Sequence, residues 1–98
     1  MDKDDIVRIA TPACSAYGVK RLELFGSLAR GDNTAGSDID LLVEFGDPER
    51  SPAKRFFGLL HDLEDGLGCT VDLLTFSGLR NPYFKRRVER EKFTIYEG

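Results

Sequence analysis

The spacing of apolar and polar residues changes period several times along the chain, and each period predicts an element. From about Lys3 to Tyr17, Ile6, Ala10, Ala13 and Tyr17 recur at helical spacing and form one apolar stripe. Pro12 lies inside this stretch, removes a helical N–H and crowds the carbonyl of Arg8. A kink is therefore expected, or a break with Thr11 capping a restarted helix. Gly18 is placed to end the helix. The period then falls to 2. Lys20 to Phe25 predicts a strand with Leu22 and Leu24 on one face. Asp38 to Phe45 predicts a second, with Ile39, Leu41, Val43 and Phe45 on one face and Asp38, Asp40, Leu42 and Glu44 on the other. Ser51-Pro52 reads as N-cap and first residue of a second helix, whose stripe is Phe56, Leu60, Leu63 and Leu67. Gly58 within it weakens the helix by about 1 kcal/mol relative to alanine. Cys69 to Phe76 predicts a third strand, in which Asp72 interrupts an apolar run. Asn81-Pro82 opens a charged helix to about Glu91, and Phe93 to Tyr96 predicts a short edge strand.

This alternation of helices and strands predicts an α/β (α+β) fold, a small mixed sheet covered by helices. The third strand is reached through a helix, which favours a right-handed crossover. The relative direction of the first two strands stays open. With 98 residues the chain is expected to form a single domain, residues 1–98.

Charge and composition narrow the classes of function. The formal net charge is −3, which disfavours a general nucleic-acid binder. No run approaches the roughly 18 apolar residues of a membrane span, and the acidic start Met1-Asp2-Lys3-Asp4-Asp5 is unlike a signal peptide. Cys14 and Cys69 are isolated and lack metal-type spacing, so they read as reduced thiols in or near the core. A cytoplasmic location is expected.

The candidate chemistry lies between the first two strands. Period 2 sets Asp38 and Asp40 side by side, pointing the same way. At about 5 Å and an effective dielectric near 20, two such carboxylates repel by roughly 3 kcal/mol. Either one stays protonated or a cation sits between them, and Mg²⁺ with its preference for oxygen ligands is the natural resolution. Gly26-Ser27 ends the first strand and lets a ligand approach the backbone; its N–H groups and the Ser27 hydroxyl make an anion cradle. Arg30, one helical turn later, is within reach of phosphate or an acidic partner. Asp72 adds a third carboxylate from a later strand. His61 reads as a boundary residue, and Tyr83 and Phe84 as core candidates. Lys85-Arg86-Arg87 reads as a solvated helix face, or a docking patch for an acidic partner or a nucleic acid.

Gly26-Ser27, ten residues, then Asp38-x-Asp40, with Asp72 downstream, resembles the signature of the polymerase-beta-like nucleotidyltransferase superfamily. Gly-Ser-x-Ala-Arg-Gly-Asp followed by Ser-Asp-Ile-Asp-Leu-Leu-Val-Glu-Phe resembles its minimal, MNT-type branch, which includes the antitoxins paired with HEPN-domain toxins. The resemblance implies transfer of AMP from ATP to a hydroxyl of a partner protein, with release of pyrophosphate. It implies that Gly26 and Ser27 hold the β- and γ-phosphates, that Asp38 and Asp40 bind two Mg²⁺ ions, and that Asp72 completes the second metal site and activates the acceptor. It makes a HEPN-domain toxin, modified on tyrosine, the expected partner. Larger relatives carry a further domain for a small substrate, and none is expected here. The acceptor pocket is then expected to be completed by another chain, a partner or a second copy. Two alternatives stand beside this: an antitoxin acting by binding alone, and transfer to a small molecule such as an aminoglycoside.

Overall fold

The computed structural model describes residues 2–26, 39–47, 49–76 and 82–98. Among them run α1 (Lys3–Ala16), β1 (Val19–Phe25), β2 (Ile39–Phe45), α2 (Pro52–Leu67), β3 (Val71–Thr75), α3 (Pro82–Glu91) and β4 (Phe93–Glu97). The strands form one mixed sheet in the order β3-β2-β1-β4. β1 is antiparallel to both β2 and β4, and β2 is parallel to β3. The expected mixed sheet is thus present, and the direction left open between the first two strands is antiparallel.

α1 does not break at Pro12. It runs continuously from Lys3 to Ala16 with Pro12 inside. Thr11 is helical, and its hydroxyl donates to the Val7 carbonyl at 2.6 Å instead of capping a new helix. The true cap lies upstream, where Asp2 and Asp5 form a reciprocal capping box. The Asp2 backbone N–H bonded to Asp5 holds that carboxyl below the usual range, with the Arg8 guanidinium adding to it. Gly18, at φ +67°, follows the last turn as expected.

The main core lies on one face of the sheet. Ile6, Ala10 and Cys14 of α1 and Leu59, Leu63 and Leu67 of α2 pack on Leu22, Leu24, Leu41, Val43 and Leu73. Burial pushes the Cys14 thiol up to about 12. Leu59 replaces Leu60 at the centre of the α2 stripe, and Arg55 is buried on the same face. Ser51 does not cap α2 through its side chain. It sits at φ 43°, and its carbonyl accepts from Arg55 N–H at 3.0 Å. Gly58 has a packing reason: the Tyr17 ring occupies the space a Cβ would need.

Arg55 fixes the connections at one end of the sheet. Its guanidinium donates to the carbonyls of Tyr17, Gly18, Gly46, Asp47 and Arg50 at 2.7–3.0 Å. Five donors in a rigid fork match five backbone acceptors, which lysine's three donors could not do. Phe45 lies under the same cation, 4.8 Å from the ring centre.

The opposite face carries a smaller apolar cluster of Phe25 and Leu42, joined by Leu74 and Phe76. β3 and β4 are both parallel to β2, so α3 makes a second crossover, stepping across the sheet in the opposite sense to α2. α3 returns the chain to Phe93, the Cα partner of Leu24, near the end of β1 that leads to Gly26.

Candidate active site

The two carboxylates that the sequence places on different strands meet in the sheet. Asp40 and Asp72 are Cα partners in the parallel β2–β3 ladder. Parallel partners point to the same face from strands roughly 4.8 Å apart. Both are the second residue of their strand, so they stand together at one end of the sheet. Asp40 is half-buried and Asp72 exposed.

The start of β3 is held from two sides. Val71 N–H donates to the Glu64 carboxylate of α2 at 3.1 Å, and Ile39 N–H donates to the Thr70 carbonyl at 3.3 Å. These bonds set the register immediately before Asp72 and Asp40. Val71 and Leu73 turn to the main core, so Asp72 faces the other way. An aspartate within an apolar run is thereby placed without burying its charge.

Gly26 forms the third wall. It has φ +77°, and a Cβ there would run into the Asp40 carboxylate, Oδ2 first and Cγ at 3.2 Å. A residue in the left-handed region and in contact with a carboxylate leaves room for glycine alone. β1 brings this turn to Asp40 because Phe25 and Asp40 are Cα partners in the antiparallel ladder.

Ser27, Arg30 and Asp38, the other expected site residues, lie outside the described residues, as do Asn81 and the side chain of Phe84. Among the described residues no group of three potential metal ligands is assembled. Two carboxylates on one face, beside a glycine that exposes backbone, are a donor set suited to a hard divalent cation. Three described candidates, Gly26, Asp40 and Asp72, are thus brought to one place.

Of the other expectations, those for Tyr83 and His61 come out differently, and those for the basic helix face and the cysteines hold. Tyr83 is 77% exposed and is no core residue. The imidazole of His61 is largely solvated, within 3.4 Å of Asp65, one turn further along α2. Lys85 and Arg86 are exposed, as a solvated helix face requires. Cys14 and Cys69 are free thiols.

The face that carries Asp40 and Asp72 also holds Glu23, which is only 1% exposed. Glu23 accepts from the Thr94 hydroxyl of β4 at 2.8 Å and lies 3.8 Å from Arg21 Nε. Arg21 stacks on the Phe76 ring and pairs with Glu44 at 3.2 Å. Period-2 alternation puts Glu23 on the polar face, and its burial is not legible from that rule. The available signal was Phe25, Leu42 and Leu74, three large apolar residues in the same polar phase.

Comparison with known proteins identifies the family and the fold. The family model described as "Nucleotidyltransferase domain" matches residues 6–94. A protein of Methanocaldococcus jannaschii, provisionally named a protein adenylyltransferase, is 40% identical over 95 residues, covering 97% of this chain and 99% of its own. Another from the same organism, named in the same provisional way, is 43% identical over 75 residues, covering 76% and 75%. Among solved structures, a provisionally named minimal nucleotidyltransferase superposes with a TM-score of 0.78 at 32% identity, covering 95% of each chain. The fold is shared with an MNT antitoxin seen in complex with the tri-AMPylated HEPN toxin of Shewanella oneidensis, at a TM-score of 0.67 and 18% identity, covering 100% and 74%.

Proposed function

The chain belongs to the nucleotidyltransferase domain family, and on that premise we propose that it transfers AMP from Mg-ATP to a hydroxyl of a partner protein. We take the partner to be a HEPN-domain toxin, modified on tyrosine, with this chain as its antitoxin. The observation that carries the reading is the in-register pair Asp40–Asp72 against the Gly26 turn. Relatives provisionally named protein adenylyltransferases at 40% and 43% identity support the choice of a protein acceptor.

Each residue has a part. Gly26 and Ser27 cradle the β- and γ-phosphates, and Arg30 adds a cation to them. Asp38, Asp40 and Asp72 would hold two Mg²⁺ ions, which would supply positive charge to the attacking and leaving oxygens. The acceptor oxygen bonds to the α-phosphorus and the bond from that phosphorus to the bridging oxygen breaks. Pyrophosphate leaves, and Asp72 takes the hydroxyl proton. Asp72 suits this because it is exposed at the sheet's end while its neighbours anchor in the core. The protein supplies position and field, with no covalent intermediate on its own side chains.

The test uses ATP labelled in its α-phosphate with the HEPN-domain candidate. Label should appear on the partner and vanish with Asp40→Asn and with Asp72→Asn. Neutralisation of the partner that survives both substitutions overturns the transfer reading in favour of binding alone. Pyrophosphate release with an aminoglycoside and no protein acceptor moves the substrate to a small molecule.

A further inference from the structure

α3 presents a cationic stripe that the transfer chemistry does not use. Tyr83, Arg86 and Arg90 fall at i, i+3 and i+7, one face of the helix, with Lys85 beside them. Lys85, Arg86 and Arg90 are exposed, and none of them forms an ion pair among the described residues. Together with Pro82, Tyr83 and Glu89 they line a groove of about 810 Å³. This concentration stands out in a chain with 17 acidic and 14 basic residues.

We propose that this stripe is the docking surface for an acidic patch on the acceptor protein, next to the hydroxyl that receives AMP. The proposal rests on the transfer reading above. Three observations carry it. First, α3 leads directly into Phe93, paired with Leu24, so its last turn reaches the end of the sheet where Gly26, Asp40 and Asp72 lie. An acceptor held there has its hydroxyl near the carboxylates. Second, Lys85, Arg86 and Arg90 are exposed cations lining one groove, so the surface that complements them is acidic. Third, tyrosine and arginine are the residues that dominate protein interfaces, and Tyr83 stands 77% exposed in the same groove. A nucleic acid fits less well, because its continuous charge would meet a chain of net charge −3 beyond this one helix.

The experiment uses the whole chain and a fluorescein-labelled ten-residue peptide rich in Asp and Glu around one Tyr, read by anisotropy. Wild type should bind at 50 mM salt and weaken at 300 mM, as screened charges do. The double substitution Arg86→Glu/Arg90→Glu should weaken binding at least tenfold, and Arg86→Gln/Arg90→Gln by an intermediate factor. Lys54→Glu, an exposed charge on α2, should leave binding unchanged. Circular dichroism melts confirm that the variants fold. The proposal is overturned by no binding, by equal loss in Lys54→Glu, by no loss in the Arg86/Arg90 variants, or by tighter binding of a ten-nucleotide oligo-dA. Melting with Mg-ATP separates the two readings. A wild type that takes the peptide but shows no Mg-ATP shift refutes transfer and leaves docking standing. A normal Mg-ATP shift with unaltered peptide binding in the variants does the reverse.

Discussion

Replacing Gly26 with alanine tests the site at its tightest point. The residue sits at φ +77°, where an L side chain costs roughly 1–2 kcal/mol. The added Cβ also overlaps the Asp40 carboxylate, whose Cγ would lie 3.2 Å away. Either the turn shifts or the carboxylate rotates off the face it shares with Asp72. The strain alone should lower the melting temperature by about 4–16 °C, taking 4–8 °C per kcal/mol for a domain of this size. The functional loss should be larger than the stability loss. Rotating Asp40 removes one of the oxygen donors, so the rise in melting temperature with saturating Mg-ATP should disappear. For a ligand at 100 times its Kd, that rise corresponds to about 2.7 kcal/mol in wild type. The assay is a thermal melt of wild type and Gly26→Ala, each with EDTA, with Mg²⁺ alone and with Mg-ATP. A variant that melts lower in EDTA but keeps the full Mg-ATP shift refutes the reasoning. It would mean that the close approach of Gly26 and Asp40 serves the backbone turn and not the nucleotide.

Three further outcomes follow from the packing. Arg55→Met should cost about 3–5 kcal/mol in urea unfolding, since it removes a partner from five backbone carbonyls, Gly18 and Asp47 among them keeping a backbone N–H, and Arg55→Lys should recover only part; a cost below about 1 kcal/mol would show the carbonyls of Tyr17, Gly46 and Arg50 to be satisfied by water. Gly58→Ala should destabilise despite the gain of about 1 kcal/mol in helix propensity, because the new methyl meets the Tyr17 ring at 2.6 Å; a stabilised variant in the same assay would contradict the contact. The Cys14 thiol, at about 12 when folded against the ordinary 9.0, keeps its proton above pH 9 while the unfolded chain loses its own. Stability from this group is therefore complete below pH 9 and declines from there towards pH 12, and urea midpoints at pH 8 and 10.5 should fall less in Cys14→Ala than in wild type.

The chain's own pattern determined much of this protein. The period change at Gly18, the alternation of Ile39, Leu41, Val43 and Phe45, and proline at the start of α2 and α3 are local signals, and the elements follow them. The Gly-Ser and Asp-x-Asp spacing, with Asp72 downstream, likewise marks the family without coordinates. Local signals do not report partners, however. Pro12 remains helical because α1 is already anchored by Ile6, Ala10 and Cys14 in the core, which outweighs one missing hydrogen bond. The α2 stripe centres on Leu59 because Arg55 must face the carbonyls of two loops remote in sequence. Only the sheet order sets Asp40 beside Asp72, since strand register depends on contacts between segments some 30 residues apart. Burial of Glu23 is decided the same way, by Thr94 arriving from the far end of the chain. Side-chain period belongs to the backbone of each segment, whereas pairing and burial belong to whichever surfaces the folded chain brings together.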